Sequence, residues 1–329
     1  MDWGNHKDIL VFVEQAEGKP VNVGLEALAP ARTLAGLTGG SVLTLVVGTD
    51  NAAAAEKAAV LCDGVLSVEG AAFGDGCTDA FACALEAVVS KYAPAAVLAG
   101  NTPLGRELTA RLGARMGLGS AQDATALKVE DGTPVWTVPV YGGTVLNDVA
   151  VDTVPVLATV RSGAFSRPEV AAAAAVTAEA VDVPDEAVRS RVLETVQEIS
   201  EAVNLEEAKV IVTGGRGMGS KENFALVEEL AQLLGGVVGA TRPAIEDGWV
   251  SRAHQVGQSG KIVAPALYIA CGVSGATQHV SGMSGSGYVV AINKDEEAPI
   301  FDVADVGIVG DAVQVLPLMM EEIRRRRAE

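Results

Sequence analysis

Residues 265–311 read PALYIACGVSGATQHVSGMSGSGYVVAINKDEEAPIFDVADVGIVGD, and this stretch decides the fold. It holds three apolar runs, Ala266–Cys271, Tyr288–Asn293 and Val306–Val309. Short runs of this kind, rich in β-formers and closed by polar or glycine-bearing turns, predict buried parallel strands. In such sheets ligands gather at the carboxyl ends of the strands. Gly272 and Gly275 follow the first run, with Ser274, Thr277, Gln278 and His279 beside them. Glycine lets the chain turn, and free backbone N–H groups at the start of the next helix suit a phosphate. Asn293 closes the second run. Asp311 closes the third, where a carboxylate can accept hydrogen bonds from ribose or adenine. The chemistry of the stretch is that of a nucleotide site.

Upstream, Ala208–Thr213 reads as a strand and runs into Gly214-Gly215-Arg216-Gly217-Met218-Gly219, ahead of a helix over Glu222–Leu234. A glycine-rich strand-to-helix turn can cradle phosphate. Its spacing departs from the GxGxxG dinucleotide pattern, because Ser220 stands where the third glycine belongs. Arg216 adds a fixed positive charge suited to a diphosphate. A short strand, Gly236–Val238, leads to Gly239-Ala240-Thr241-Arg242-Pro243, which puts Arg242 at a sheet edge. Arg252 and His254 follow, and then a polar, flexible loop, Val256-Gly257-Gln258-Ser259-Gly260-Lys261. Taken singly, each of these residues reads as a satisfied surface group. Their joint order is what points to a site.

The N-terminal half alternates strands and helices. Asp8–Val13, Ser41–Val47, Gly64–Val68 and Ala95–Ala99 have strand patterns, and Val23–Leu37, Ala52–Leu61 and Thr78–Lys91 have helical spacing. This rhythm predicts a parallel sheet with right-handed crossovers. Asn101–Glu107 opens a further helix that runs to Met116, on which Arg106, Arg111 and Arg115 mark a solvated or interface face. Beyond Gly117 the runs Thr125–Val129, Val135–Val140, Thr144–Val151 and Val156–Arg161 read as added antiparallel strands, with turns at Asp131-Gly132 and Gly142-Gly143. Residues 169–205 change composition and read as an edge strand and a connecting segment. The domain boundary is expected near Ala202–Glu207. The fold class is therefore α/β in two domains: residues 1–204 with a parallel sheet and added antiparallel strands, and residues 205–329 doubly wound.

Composition narrows the function. A net charge of −18 over 329 residues excludes a nucleic-acid partner, whose phosphates demand a basic surface. No apolar run reaches the length of a membrane span, so no membrane insertion is expected. Four cysteines, Cys62, Cys77, Cys83 and Cys271, form neither a CxxC pair nor a disulfide framework, which fits free thiols in a reducing cytoplasm. The opening MDWGNHKD is unlike a signal or transit peptide.

GVSGATQH, GMSGS, AINKDEEAPIF and ADVGIVGD, with GGRGMGSKENF and QVGQSGK upstream, resemble the FAD-binding domain of the electron-transfer flavoprotein alpha subunit. The resemblance implies that FAD is held by Arg216, Thr241, Arg242, Val256, Gly257, Gln258, Ser259, Ser274, Gly275, Ala276, Thr277, Gln278, His279, Asn293, Asp311 and Ala312. Thr241 replaces a common Ser, Ser259 a common Thr and Thr277 a common Ile. Thr159–Phe165 is similar to a family TVRPG segment that meets the beta subunit, with Ser162 in place of Pro. The family further implies that Arg242, Ser259 and His279 supply positive charge and donors to the flavin ring, with no protein nucleophile. The implied partners are a beta subunit and a flavin dehydrogenase such as acyl-CoA dehydrogenase, with a quinone-linked acceptor or ferredoxin downstream. One alternative is a flavin-based electron-bifurcating complex using NADH, ferredoxin and an enoyl-CoA. Another is a nucleotide-sensing module without FAD.

Overall fold

The structure, a computed structural model, describes residues 1–328 except 17, 75, 191 and 194–203. Two compact units divide the chain. One holds Met1–Val140 and Val145–Val196, the other Tyr141–Thr144 and Gln197–Glu329. The expected boundary near Ala202–Glu207 falls partly outside the described residues.

The first unit begins with β1 (Ile9–Phe12), the short hairpin β2 (Gln15–Ala16) and β3 (Lys19–Pro20), and the helices α1 (Asn22–Glu26) and α2 (Leu28–Thr38). It continues with β4 (Val42–Gly48), α3 (Ala52–Ala59), β5 (Gly64–Glu69), α4 (Thr78–Tyr92), β6 (Ala96–Gly100) and α5 (Pro103–Met116). Then come β7 (Ser120–Ala124), β8 (Ala126–Glu130), β9 (Thr133–Val140), β10 (Val145–Ala150), β11 (Val156–Val160) and β12 (Val176–Glu179). Seven strands form one parallel sheet in the order β12-β5-β4-β1-β6-β11-β7. Small residues on the helices make that packing close: Ala54, Ala55, Ala58 and Ala59 of α3 are all buried. The start of α5 follows from its sequence. The Thr102 hydroxyl accepts from the Gly105 N–H at 2.9 Å, and Pro103 stands in the first turn, where its missing N–H costs nothing.

The antiparallel strands exist as a separate sheet, β10-β9-β8, anchored by the fully buried Trp136. Two expectations change here. Val156–Val160 is not antiparallel; it pairs in parallel with both β6 and β7. Strand direction is set by the neighbour to which the chain returns, which a local apolar pattern does not encode. β7, with sequence SAQDA, was not expected at all, because it has no apolar run. The expected edge strand within 169–205 is β12, at the margin of the large sheet.

The second unit contains β13 (Val210–Gly214), α6 (Lys221–Leu234), β14 (Val237–Ala240), α7 (Arg242–Glu246), β15 (Leu267–Cys271), α8 (Thr277–Val280), β16 (Val289–Asn293), β17 (Val306–Val309) and α9 (Ala312–Ala328). Its sheet is parallel throughout, in the order β14-β13-β15-β16-β17. Counted within this unit, that is the 2-1-3-4-5 order of doubly wound sheets. The three apolar runs of residues 265–311 are β15, β16 and β17. Buried side chains fill both faces: Phe224, Val227 and Leu230 of α6 with Leu316 of α9 on one, and Tyr268, Val263 and Met283 on the other. Burying each such side chain is worth about 1.5–3 kcal/mol.

Candidate functional site

The strand order of the second unit reverses between β13 and β15. At such a switch point the two following connections diverge to opposite faces and leave a crevice at the carboxyl ends. A cavity of about 740 Å³ lies there. Its walls come from the turn after β13 (Gly215–Gly217), the turn after β14 (Thr241–Pro243), the loop Gln255–Ser259, the turn after β15 (Gly272–Ser274, Ala276, Gln278, His279) and, beyond β16, Asn293, Asp295, Ala298 and Pro299.

Glycine is required where these turns touch. A Cβ on Gly215 would collide with the carbonyl oxygen of Gly272, and one on Gly217 would stand 2.6 Å from the same atom. Gly272 has φ +61, and its own Cβ would lie 2.7 Å from the Gly217 carbonyl carbon. The two turns are thus laid backbone on backbone, held by Gly215 N–H to Cys271 O and Gly217 N–H to Gly272 O, both 2.9 Å.

Two features of the walls are open to a ligand. The backbone N–H groups of the wall residues Ser274 and Ala276, and of Gly275 between them, donate to no acceptor among the described residues. With Gly275 at φ +87, consecutive unpaired amides of this sort make an anion-binding concavity. The Thr241 hydroxyl is buried, yet it has no hydrogen-bond partner among the described residues. A buried orphan hydroxyl costs about 1–3 kcal/mol, and of the five buried side-chain atoms without a partner among the described residues only that of Thr241 belongs to a residue lining the cavity, where a ligand can supply the partner.

Arg216 and Arg242 supply positive charge. Arg216 Nε donates to Asp247 Oδ2 at 3.2 Å and Arg242 Nε to Glu246 Oε1 at 2.7 Å. Both pairs are largely exposed, so each is worth little and either guanidinium can turn to an anionic ligand at small cost. The Ser259 hydroxyl accepts from Gln255 Nε2 at 2.9 Å, which leaves its proton to donate. Asn293 is tied down: its Nδ2 donates to Val273 O at 2.7 Å and its Oδ1 accepts from the Asp295 N–H at 3.0 Å.

Arg216, Thr241, Arg242, Val256, Gly257, Gln258, Ser259, Ser274, Ala276, Gln278, His279 and Asn293 share this cavity. Gly275, Thr277, Asp311 and Ala312 do not line it. Gly275 packs against Ile300, where a Cβ would collide with the backbone. Thr277 opens α8 with its side chain exposed. Asp311 Oδ1 accepts from the Val313 N–H at 3.0 Å at the start of α9, and Ala312 is buried. The wall residues Pro243, Asp295, Ala298 and Pro299 were not expected; the AINKDEEAPIF run held the signal for the last three.

His279 requires a correction. Arg242, Ser259 and His279 were expected together to bring positive charge and donors to the ring, and His279 does not bring the charge. It is buried, and burial pushes its pKa down to about 4, against a weaker opposing pull from the Val256 carbonyl. A cation at neutral pH would have to be desolvated, so the imidazole is neutral.

Comparison with known proteins gives a consistent result. The model of the electron transfer flavoprotein domain matches residues 9–186, and that of the electron transfer flavoprotein FAD-binding domain matches residues 204–284. An electron transfer flavoprotein subunit alpha of Thermoanaerobacterium thermosaccharolyticum is 40% identical over 327 residues, covering 98% of this chain and 99% of that protein. One of Bacillus subtilis is 38% identical over 320 residues, covering 97% and 98%. An acryloyl-CoA reductase electron transfer subunit beta of Anaerotignum propionicum is 35% identical over 357 residues, covering 98% and 97%.

Proposed function

The chain belongs to the electron transfer flavoprotein alpha-subunit family, and from that premise we propose that the cavity between β13 and β15 holds the FAD of its FAD-binding domain. FAD, when bound, supplies the redox chemistry that moves electrons. The chain's own residues bind it, orient it and set the charge around it. The unpaired amides of Ser274–Ala276 and the Arg216 guanidinium suit the diphosphate. Arg242 and the Ser259 hydroxyl provide a cation and a donor for the redox-active ring, and the Thr241 hydroxyl gains the partner it lacks. Asn293 and Asp295, with Asp311 and Ala312 at the neighbouring strand end, fall to the adenosine side. The observation that supports this most strongly is the conjunction of unpaired amides and the orphan Thr241 hydroxyl at the sheet's switch point.

In this proposal the chain works in the cytoplasm as one half of a heterodimer with a beta subunit. It takes electrons from a flavin dehydrogenase such as an acyl-CoA dehydrogenase and delivers them to a quinone-linked or other acceptor. Four free cysteines fit a reducing compartment, and among the described residues no helix is long and apolar enough to cross a membrane. The relative named for an acryloyl-CoA reductase favours a second direction of flow, in which a bifurcating heterodimer spends NADH on ferredoxin and an enoyl-CoA. Identifying the nucleotides released from the denatured heterodimer, and adding NADH to the intact one, tests both. FAD from this chain and no bleaching by NADH support the carrier. A second FAD and rapid bleaching support bifurcation, and a colourless protein ends the proposal.

A further inference from the structure

Tyr268 lies on β15 with no solvent exposure, packed among Ile211, Val263, Met283 and Ala291. It does not line the cavity. A phenol hydroxyl in such a core must find a partner, and Tyr268 finds one in His279, whose Nε2 is 3.0 Å from its oxygen. The other imidazole nitrogen, Nδ1, is 3.1 Å from the carbonyl oxygen of Val256. These two contacts fix the protons. A carbonyl oxygen only accepts, so Nδ1 carries the hydrogen; Nε2 then offers a lone pair, and the Tyr268 hydroxyl donates to it.

The chain of donors runs from the core to the cavity wall. Val256 opens the loop that carries Gln258 and Ser259. That loop is otherwise pinned by Val256 N–H to Ala240 O at 3.0 Å, Gly257 N–H to Lys261 O at 3.1 Å and Gln258 N–H to Gln278 O at 2.7 Å. Gly257, at φ +140, leaves no room for a side chain, since its Cβ would stand 2.8 Å from Gln278 O. The His279 bridge is thus the side-chain tie between the loop and α8, beside the backbone bond from Gln258 to Gln278, and Tyr268 holds His279.

We propose that Tyr268 is a positioning residue for the flavin site: its hydroxyl locks His279 as the neutral Nδ1–H tautomer and thereby holds the Val256–Ser259 wall in its binding geometry. This rests on the FAD assignment above only for its last step. The tautomer itself is a property of the chain with or without flavin.

The test is imidazole nitrogen NMR on the full-length protein, flavin-loaded and flavin-stripped, with Tyr268→Phe as the variant. In the wild type at neutral pH, His279 should show a protonated Nδ1 and an unprotonated, hydrogen-bonded Nε2 in both states. An Nε2–H tautomer or an imidazolium overturns the proposal, whatever the flavin content. Tyr268→Phe keeps the ring in the core; the Nε2 resonance should shift toward that of an unbonded nitrogen, and the Kd for FAD should rise about two- to tenfold. An altered Nε2 signal with unchanged FAD affinity overturns the positioning role. Should the variant misfold, the wild-type spectra alone still decide the tautomer. A protein with the expected tautomer that takes up no FAD fails the site assignment and leaves the lock intact.

Discussion

The two units carry parallel sheets that both change direction near their first strand, and they treat the resulting crevice in opposite ways. In the first unit the switch lies between β1 and β6. There the chain fills its own gap. A Cβ on Gly100, at the end of β6, would collide with Val23 of α1, so that helix seals the strand end. The Thr102 hydroxyl donates to Glu14 while capping α5. Asn101 donates to Asp123 at 2.7 Å, Asp123 accepts from Arg161, and Thr159 donates to Asn101 Oδ1 at 2.9 Å. In the second unit the corresponding ends are glycine turns with unpaired amides and an orphan hydroxyl. A switch point makes a crevice, but whether the crevice binds anything depends on whether the chain's own polar groups are already satisfied there.

Glycine substitutions should break this symmetry most strongly. Gly272→Ala adds a left-handed strain of about 1–2 kcal/mol to an overpacking cost of about 1–3 kcal/mol against Gly217. Thermal unfolding of the second unit should fall accordingly, with FAD lost. Gly39→Ala in the first unit has a similar φ, +67, but nothing within 4 Å, so only the strain of about 1–2 kcal/mol should appear and FAD should stay. Equal effects of the two substitutions would remove the contrast.

The pH dependence sharpens it further. His279 has its pKa lowered from 6.5 to about 4, so the unfolded chain binds its proton first as pH falls. The stability it contributes, up to about 3 kcal/mol, is fully present above pH 6.5, declines below it and is gone near pH 4. Denaturant titrations should show that His279→Gln loses this component of the acid slope.

Much of this was visible in the sequence. The apolar runs of residues 265–311 gave β15, β16 and β17, and Thr102-Pro103 gave the start of α5. The glycine turns could be located because few residues other than glycine tolerate such backbone contact. What was hidden depends on partners distant in sequence or on direction. The parallel pairing of β11 needs β6 and β7, and β7 is too polar to announce itself. The neutrality of His279 comes from its burial, and its tautomer needs Tyr268 and Val256, residues 11 and 23 positions away. Asp311 looked like a ligand residue from its place after a strand, and its carboxylate also serves α9.

A smaller effect is expected at Thr241. Thr241→Val removes a hydroxyl that no protein group uses, so flavin-free stability should be unchanged or higher by up to about 1 kcal/mol. The Kd for FAD should rise about two- to tenfold, measured by fluorescence titration. A stability loss without an affinity change would mean that the hydroxyl serves the fold.

The smallest effect belongs to Arg242, an exposed cation shared with Glu246. Arg242→Ala should lower the first flavin potential by less than about 60 mV, which for one electron corresponds to about 1.4 kcal/mol. Spectroelectrochemical titration would reveal a larger shift if the guanidinium lost its carboxylate partner and closed on the ring.

The decisive measurement is the flavin content of Ser274→Trp. Ser274 is exposed on the wall of the cavity between β13 and β15, so an indole there occupies the crevice without entering the core. Purified wild-type protein and the variant are denatured and the released FAD is quantified per chain, alongside a melt of the flavin-free forms. The expected result is one FAD fewer per chain in the variant, with the melts of the flavin-free proteins unchanged. Full FAD retention by a folded Ser274→Trp protein would contradict the assignment of that crevice as the flavin site.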